Sequence, residues 1–152
     1  KNTGRPEGFY ESVFITKYLD SPNQPLFPFG YGLSYTTFEY SEIQMEDKQL
    51  TRDGKLNVSV KVKNTGKYKG TETVQLYIRD LVASVTRPVK ELKSFRKVEL
   101  KPGEEKKVEF VITEKDLRFW NDKKQFISEP GKFHLFIGTD SENVKKAEFV
   151  LL

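Results

Sequence analysis

The feature that most constrains the fold is an alternation of apolar and polar residues with a period of two, repeated along the chain after Thr37. Apolar side chains occupy every second position in five segments, 56–62, 74–78, 108–112, 133–137 and 147–151. Successive side chains of a β-strand point to opposite faces, so this period indicates strands that bury one face. Turn sequences rich in glycine and proline punctuate these segments, at 52–54, 64–66, 101–104 and 129–131.

Short strands separated by such turns predict an all-β fold. The expected architecture is an immunoglobulin-like or fibronectin type III-like β-sandwich of about seven strands. Only residues 113–117 resemble a helical turn, with Thr113 as a plausible N-cap. Hydrophobic residues make up 36% of the chain, which is enough for a core, and charged residues make up 32%, which gives a well-solvated surface.

Residues 1–36 differ in kind from the rest. They contain four of the seven prolines, and Phe27, Phe29, Tyr31 and Tyr35 follow one another closely. This proline density excludes a regular helix or a central strand, so the segment cannot bury its rings by itself. We therefore divide the chain into a linker, 1–36, and a β-sandwich domain, 37–152. The four rings are expected to dock on a neighbouring domain.

The first residues do not resemble a natural start, because neither an initiator Met nor a signal peptide is present. We therefore expect the chain to be cut from a longer protein. Without that neighbour, the isolated chain is expected to associate with copies of itself through residues 1–36. Residues 1–24 are expected to be mobile or to stick to another copy.

Composition excludes several classes of partner. The net charge of +4 comes from 26 basic and 22 acidic residues that are interspersed, which argues against a nucleic acid partner. No apolar run of about 18 residues exists, so we expect no membrane span. The chain has no Cys and one His, His134, which is expected on the outward face of its strand. We therefore expect no metal site and no cofactor.

Catalytic residues are not evident in the sequence. Two carboxyl groups facing each other across a cleft would be needed for glycoside hydrolysis. The acids that lie near strand ends and turns are expected to be solvated or to cap turns: Asp80, Asp116, Asp122 and Asp140. Trp120 is the candidate sugar contact, since an exposed indole can stack on a pyranose ring. The alternative is that Phe119 and Trp120 both fill the core.

Residues 25–38, PLFPFGYGLSYTTF, resemble the signature that joins the catalytic part of glycoside hydrolase family 3 enzymes to their C-terminal fibronectin type III-like domain. Further segments resemble the same family, namely 58–66, 87–95, 100–104 and 130–139. The resemblance covers essentially the whole chain and is greatest to the bacterial exported β-glucosidases.

The resemblance implies a non-catalytic accessory domain that stabilises a retaining β-glucosidase by docking on it, in the periplasm or outside the cell. In such enzymes the aspartate nucleophile lies on a (β/α)8 barrel, and a carboxylic acid elsewhere in the catalytic part protonates the leaving group. Both precede this segment, so no catalytic residue carries over to the chain. Two alternatives stay open. In the first, the domain is a carbohydrate-binding module that tethers the enzyme to polysaccharide. In the second, the parent enzyme is a β-xylosidase.

Overall fold

A computed structural model describes residues 25–152 as two packed β-sheets and one short hairpin. The predicted all-β sandwich is confirmed. Six strands have eight to eleven residues, namely β4 Lys55–Asn64, β5 Gly70–Asp80, β6 Glu91–Leu100, β7 Glu105–Thr113, β10 Gly131–Gly138 and β11 Val144–Leu151. The others are shorter, namely β1 Phe38–Tyr40, β2 Gln44–Met45, β3 Gln49–Leu50, β8 Phe119–Trp120 and β9 Phe126–Ile127.

The first sheet is organised around β4. This strand pairs with β7 along one edge and with β1 and β2 along the other, always antiparallel. The second sheet has the order β3-β11-β10-β5-β6 and is antiparallel except for the β3–β11 pair. The remaining strands, β8 and β9, form a separate two-stranded hairpin that leads into β10.

Alternate residues of the long strands meet between the sheets and form the core. The rings of Phe133 and Phe149 stack there with centroids 5.4 Å apart. Aliphatic side chains from both sheets surround them, among them Val58, Val60, Val62, Val74, Leu76, Leu135 and Ile137. Removing this apolar area from water is the main force that holds the two sheets together.

All five alternating segments lie within long strands, but the alternation did not reveal β6. This strand is at the edge of the second sheet, and Leu100 is its one buried residue. Its register also shifts opposite Leu76 and Tyr77, which interrupts the period of two. The predicted helical turn is a 3₁₀ helix, Glu114–Leu117, and the Asp116 carboxylate accepts hydrogen bonds from the Thr113 amide and hydroxyl.

Asn64 connects the end of the docking segment, defined here as residues 25–36, to the interior. Its side chain is fully buried and its amide donates to the carbonyl oxygens of Tyr68 and Leu100. Its Oδ1 atom accepts from the Thr36 hydroxyl at 2.7 Å and from the Gly66 amide at 3.0 Å. Each polar atom of this buried amide therefore has a partner, as burial requires.

Candidate functional site

The docking segment presents its apolar side chains to solvent. Phe27, Phe29, Tyr31 and Tyr35 are all exposed, and Tyr35 is 96% exposed. Leu26 and Leu33 are exposed beside them. Soluble proteins rarely expose a contiguous apolar group of this size unless it serves as an interaction site. The rest of the predicted linker, residues 1–24, lies outside the described residues.

The backbone of the docking segment, in contrast, is held firmly against the second sheet. The Phe29 carbonyl oxygen accepts a hydrogen bond from the Ser141 amide at 2.9 Å. The Gly30 carbonyl oxygen accepts one from the Gln75 side-chain amide at 3.0 Å, and the same amide donates to the Thr139 carbonyl. The Tyr77 hydroxyl donates to Gln75 Oε1, so the Gln75 side chain is hydrogen-bonded through both of its polar atoms.

Gly30 allows this close approach. Its φ angle is +81°, a conformation that residues with a Cβ rarely adopt. A Cβ added at this position would lie 2.1 Å from Gln75 Oε1 and 2.7 Å from the Tyr77 hydroxyl. Both the backbone conformation and the available space therefore require glycine here.

Two ring contacts give the segment a defined shape. The rings of Phe27 and Tyr31 have centroids 4.9 Å apart, and the Tyr31 amide donates to the Pro28 carbonyl oxygen at 3.1 Å. Phe29 contacts Tyr77 edge to face at 6.4 Å. The exposed rings thus project from a backbone whose conformation is set by hydrogen bonds and ring contacts.

A cleft of about 840 Å³ lies beside residues 30–34. Inside it the Tyr40 hydroxyl donates to the buried Glu72 carboxylate at 2.6 Å. Burial, and then the charge of Glu72, raise the pKa of Tyr40, so this hydroxyl stays protonated and acts as a donor. The hydrogen bond gives the buried Glu72 carboxylate a neutral donor, so we assign a structural role to this pair.

Trp120 lies on the two-stranded hairpin formed by β8 and β9, and it is 66% exposed. It pairs across the hairpin with Phe126, with ring centroids 5.3 Å apart. Phe119, by contrast, is buried, and the Arg87 guanidinium lies 4.4 Å from its ring centroid. The expectation that both rings fill the core is therefore right for Phe119 and wrong for Trp120, because adjacent strand residues face opposite sides.

A polar cluster around the buried Glu114 carboxylate supports this hairpin. The Arg118 Nε atom donates to both oxygens of Glu114 at 2.9 Å, and the Ser128 hydroxyl donates to Glu114 Oε1 at 2.6 Å. The hydrogen bonds from Arg118 hold the pKa of Glu114 below its usual range, so the carboxylate is charged at neutral pH. The hairpin is therefore fixed on both sides of its turn.

The remaining titratable groups differ in part from expectation. Asp140 is buried and caps a turn, with Oδ1 accepting from the Glu142 and Asn143 amides at 2.8 Å. Asp80 also caps a turn, because its Oδ1 atom accepts from the Val82 amide at 3.2 Å, and its partial burial raises its pKa. His134 lies on the outer face of β10, 3.0 Å from Glu148, with a side chain that is only 15% exposed. Burial lowers the pKa of His134.

Neither a metal-binding group of acids and histidines nor a helix long and apolar enough to cross a membrane is found among residues 25–152.

Sequence reasoning missed the residues that hold the docking segment. The alternation placed Gln75 and Tyr77 on the outward face of β5, where solvent exposure was expected. Both are buried, because the Phe29–Gly30 backbone covers them. A tyrosine in an outward position was the one available signal, since a large ring there usually has a partner.

Comparison with known proteins identifies the domain. A model of the fibronectin type III-like domain family matches residues 72–141. The chain is 49% identical over 152 residues to a periplasmic β-glucosidase of Salmonella typhimurium, covering 99% of this chain and 20% of that protein. It is 44% identical over 126 residues to a β-xylosidase of Formosa agariphila, covering 83% of this chain and 17% of that protein.

Comparison with solved structures also finds β-glucosidases. The β-glucosidase of Listeria innocua in complex with glucose superposes with a TM-score of 0.85 at 41% identity, covering 99% of this chain and 20% of that one. The chain thus spans about a fifth of the length of the relatives it matches. The chain belongs to the fibronectin type III-like domain family and resembles the C-terminal part of glycoside hydrolase family 3 β-glucosidases.

Proposed function

We propose that this chain is a non-catalytic accessory domain of a retaining family 3 β-glucosidase, which it stabilises by docking on the catalytic part through Phe27, Phe29, Tyr31 and Tyr35. The observation that carries the proposal is the contrast within the docking segment, whose backbone is clamped while its rings are exposed. The proposed parent enzyme removes terminal non-reducing β-D-glucosyl residues and acts in the periplasm or outside the cell.

Energetics support a permanent contact within one polypeptide. Covering a phenylalanine or tyrosine side chain contributes roughly 1.5–3 kcal/mol at about 25 cal/mol per Å² of apolar area. Because the docking segment is ordered before it meets its partner, little of this free energy is spent on ordering it. The matched relatives are about five times as long as this chain, which leaves room for a catalytic part before it.

The docking test uses the full-length polypeptide with Phe27 and Tyr35 both replaced by Ser. We expect its thermal inactivation midpoint to fall by several degrees below that of the wild type, because the two rings no longer contribute to the contact. The matched control is Tyr68→Ser, because Tyr68 is 65% exposed on the turn between β4 and β5. Equal midpoints for the double variant and the control would contradict docking through these rings.

The non-catalytic role has a separate test. The purified 152-residue chain should give no turnover of aryl β-glucosides above buffer. The full-length polypeptide, assayed in parallel, should hydrolyse them. Comparison with aryl β-xylosides decides the alternative parent, which the β-xylosidase relative from Formosa agariphila supports. Hydrolysis by the purified chain that rises in proportion to its concentration would overturn the proposal.

A second candidate function, carbohydrate binding, is favoured by one observation. Trp120 and Phe126 form an exposed aromatic pair on a rigid hairpin, with the side chains of Asn121 and Gln125 beside it. Such a pair can stack on the face of a pyranose while amides bond its hydroxyl groups. The purified chain should then be retained by insoluble β-glucan, and Trp120→Ala should abolish the retention. Equal retention of Trp120→Ala and Tyr68→Ala would exclude this function for the hairpin.

A further inference from the structure

The outer face of the five-stranded sheet carries two more exposed apolar residues, Leu92 and Phe95 of β6. They lie three positions apart, so in a regular strand they would point to opposite faces. The register shift opposite Leu76 and Tyr77 changes this. Leu92 pairs with Tyr77, whereas Phe95 pairs with Gln75. Directly opposed residues of an antiparallel pair share a face, so the bulge brings Leu92 and Phe95 to the same side.

This side is also the one that the docking segment covers. Tyr77 contacts the ring of Phe29, and Gln75 binds the carbonyl oxygen of Gly30. Leu92 and Phe95 are therefore the β6 neighbours of the two residues that hold the docking segment. Leu92, Phe95 and Phe29 therefore lie on the same side of the sheet, and we call this set of residues the sheet patch.

The structure assigns the sheet patch to the same interface as the docking segment, so that the partner contacts the sheet itself as well as the linker. This inference rests on the proposed function, and the partner is the catalytic part of the same polypeptide. Any chain that precedes Pro25 is tethered within a few residues of Phe29, and hence beside the patch. Such a tether gives its partner a high effective concentration at this face.

A β-bulge changes the direction in which the side chains of an edge strand point, and this bulge determines the face on which Leu92 and Phe95 lie. Without the shift, Leu92 or Phe95 would point toward the core side, and the outer face would lose half of its exposed apolar groups on β6. The bulge is thus the element that extends the interface from the linker onto the sandwich.

The test introduces single cysteines into the full-length polypeptide and measures their rate of alkylation by peptide mass spectrometry. This chain contains no cysteine of its own. Phe95→Cys is compared with Val111→Cys on the outer side of β7, because Phe95 and Val111 are 53% and 55% exposed. We expect Phe95→Cys and Leu92→Cys to react at least about tenfold more slowly than Val111→Cys, since covered thiols are protected.

A cysteine at a third site, Tyr35→Cys, distinguishes failure of this inference from failure of the proposed function. Protection of Tyr35→Cys together with rapid alkylation of Phe95→Cys and Leu92→Cys would overturn the inference and leave linker docking intact. Rapid alkylation at Tyr35→Cys as well would overturn both. Protection that disappears on dilution would assign the patch to a second copy, and protection that requires added β-glucan would assign it to a polysaccharide. Either result would overturn the inference.

Discussion

At the scale of single residues, the decisive position is Gly30. It is the point at which the docking segment touches the sheet, and its environment leaves no room for a side chain. The Gln75 side-chain amide, the Tyr77 hydroxyl and the Ser141 backbone amide hold this part of the chain, and the sequence alone singled out none of the three. Small polar contacts therefore determine where a large apolar segment lies.

We predict that Gly30→Ala detaches the docking segment locally. A Cβ at a φ of +81° costs about 1–2 kcal/mol, and it also collides with Gln75. The measurement is amide hydrogen exchange at Ser141, whose N–H donates to the Phe29 carbonyl oxygen. This amide should exchange faster in the variant.

Gly32→Ala is the matched control for that prediction. An added Cβ at Gly32 meets nothing within 4 Å, so exchange at Ser141 should stay as in the wild type. Unchanged exchange in Gly30→Ala would mean that the segment is held by contacts other than the Phe29–Gly30 backbone.

At the scale of elements, the β8–β9 hairpin and the docking segment are built on the same principle. In each, buried polar contacts fix a short irregular piece of backbone, and aromatic rings project from it. The clamp of the docking segment lies just after β10, at Thr139 and Ser141, whereas the hairpin leads into the start of β10. The two exposed aromatic groups therefore lie near opposite ends of β10.

The hairpin support predicts a dependence on pH. The folded state lowers the pKa of Glu114, so near the usual carboxyl range the unfolded state binds more protons than the folded state. The stabilisation that Glu114 contributes to the folded state is therefore fully present above that range. It is lost as the pH falls through the folded-state pKa, and the free energy of unfolding decreases accordingly. Urea unfolding of the chain at a series of pH values between about 7 and about 3 measures this change in the free energy of unfolding.

Two variants complete that experiment. Glu114→Gln should lose less unfolding free energy on acidification than the wild type, because it has no proton to bind at this position. Glu109→Gln, a change at an exposed acid of β7, should behave as the wild type does. The same loss in all three proteins would show that the acid sensitivity arises elsewhere.

At the scale of the whole molecule, the domain is a well-packed sandwich that carries an uncovered apolar segment on one face. We predict that the isolated 152-residue chain associates with copies of itself through this segment, because water disfavours such a surface. Sedimentation velocity over a range of concentrations should show the association. It should weaken in the Phe27→Ser, Tyr35→Ser double variant and persist in Tyr68→Ser. A wild-type chain that stays monomeric at all concentrations would contradict the prediction.

The sequence by itself determined the fold class and the turns, since a period of two specifies which residues of a strand share a face. It also indicated the family, and it located the aromatic run at 27–35 and the indole at Trp120. All of these are properties of residues near one another in the chain.

Only the tertiary structure decided which faces are covered. Gln75 and Tyr77 are buried by backbone that lies more than 40 residues earlier in the chain. Leu92 and Phe95 share a face because of a register shift between two strands, and Trp120 is exposed while Phe119 is buried. Alternation specifies the two sides of a strand, but what lies against each side depends on contacts between distant residues.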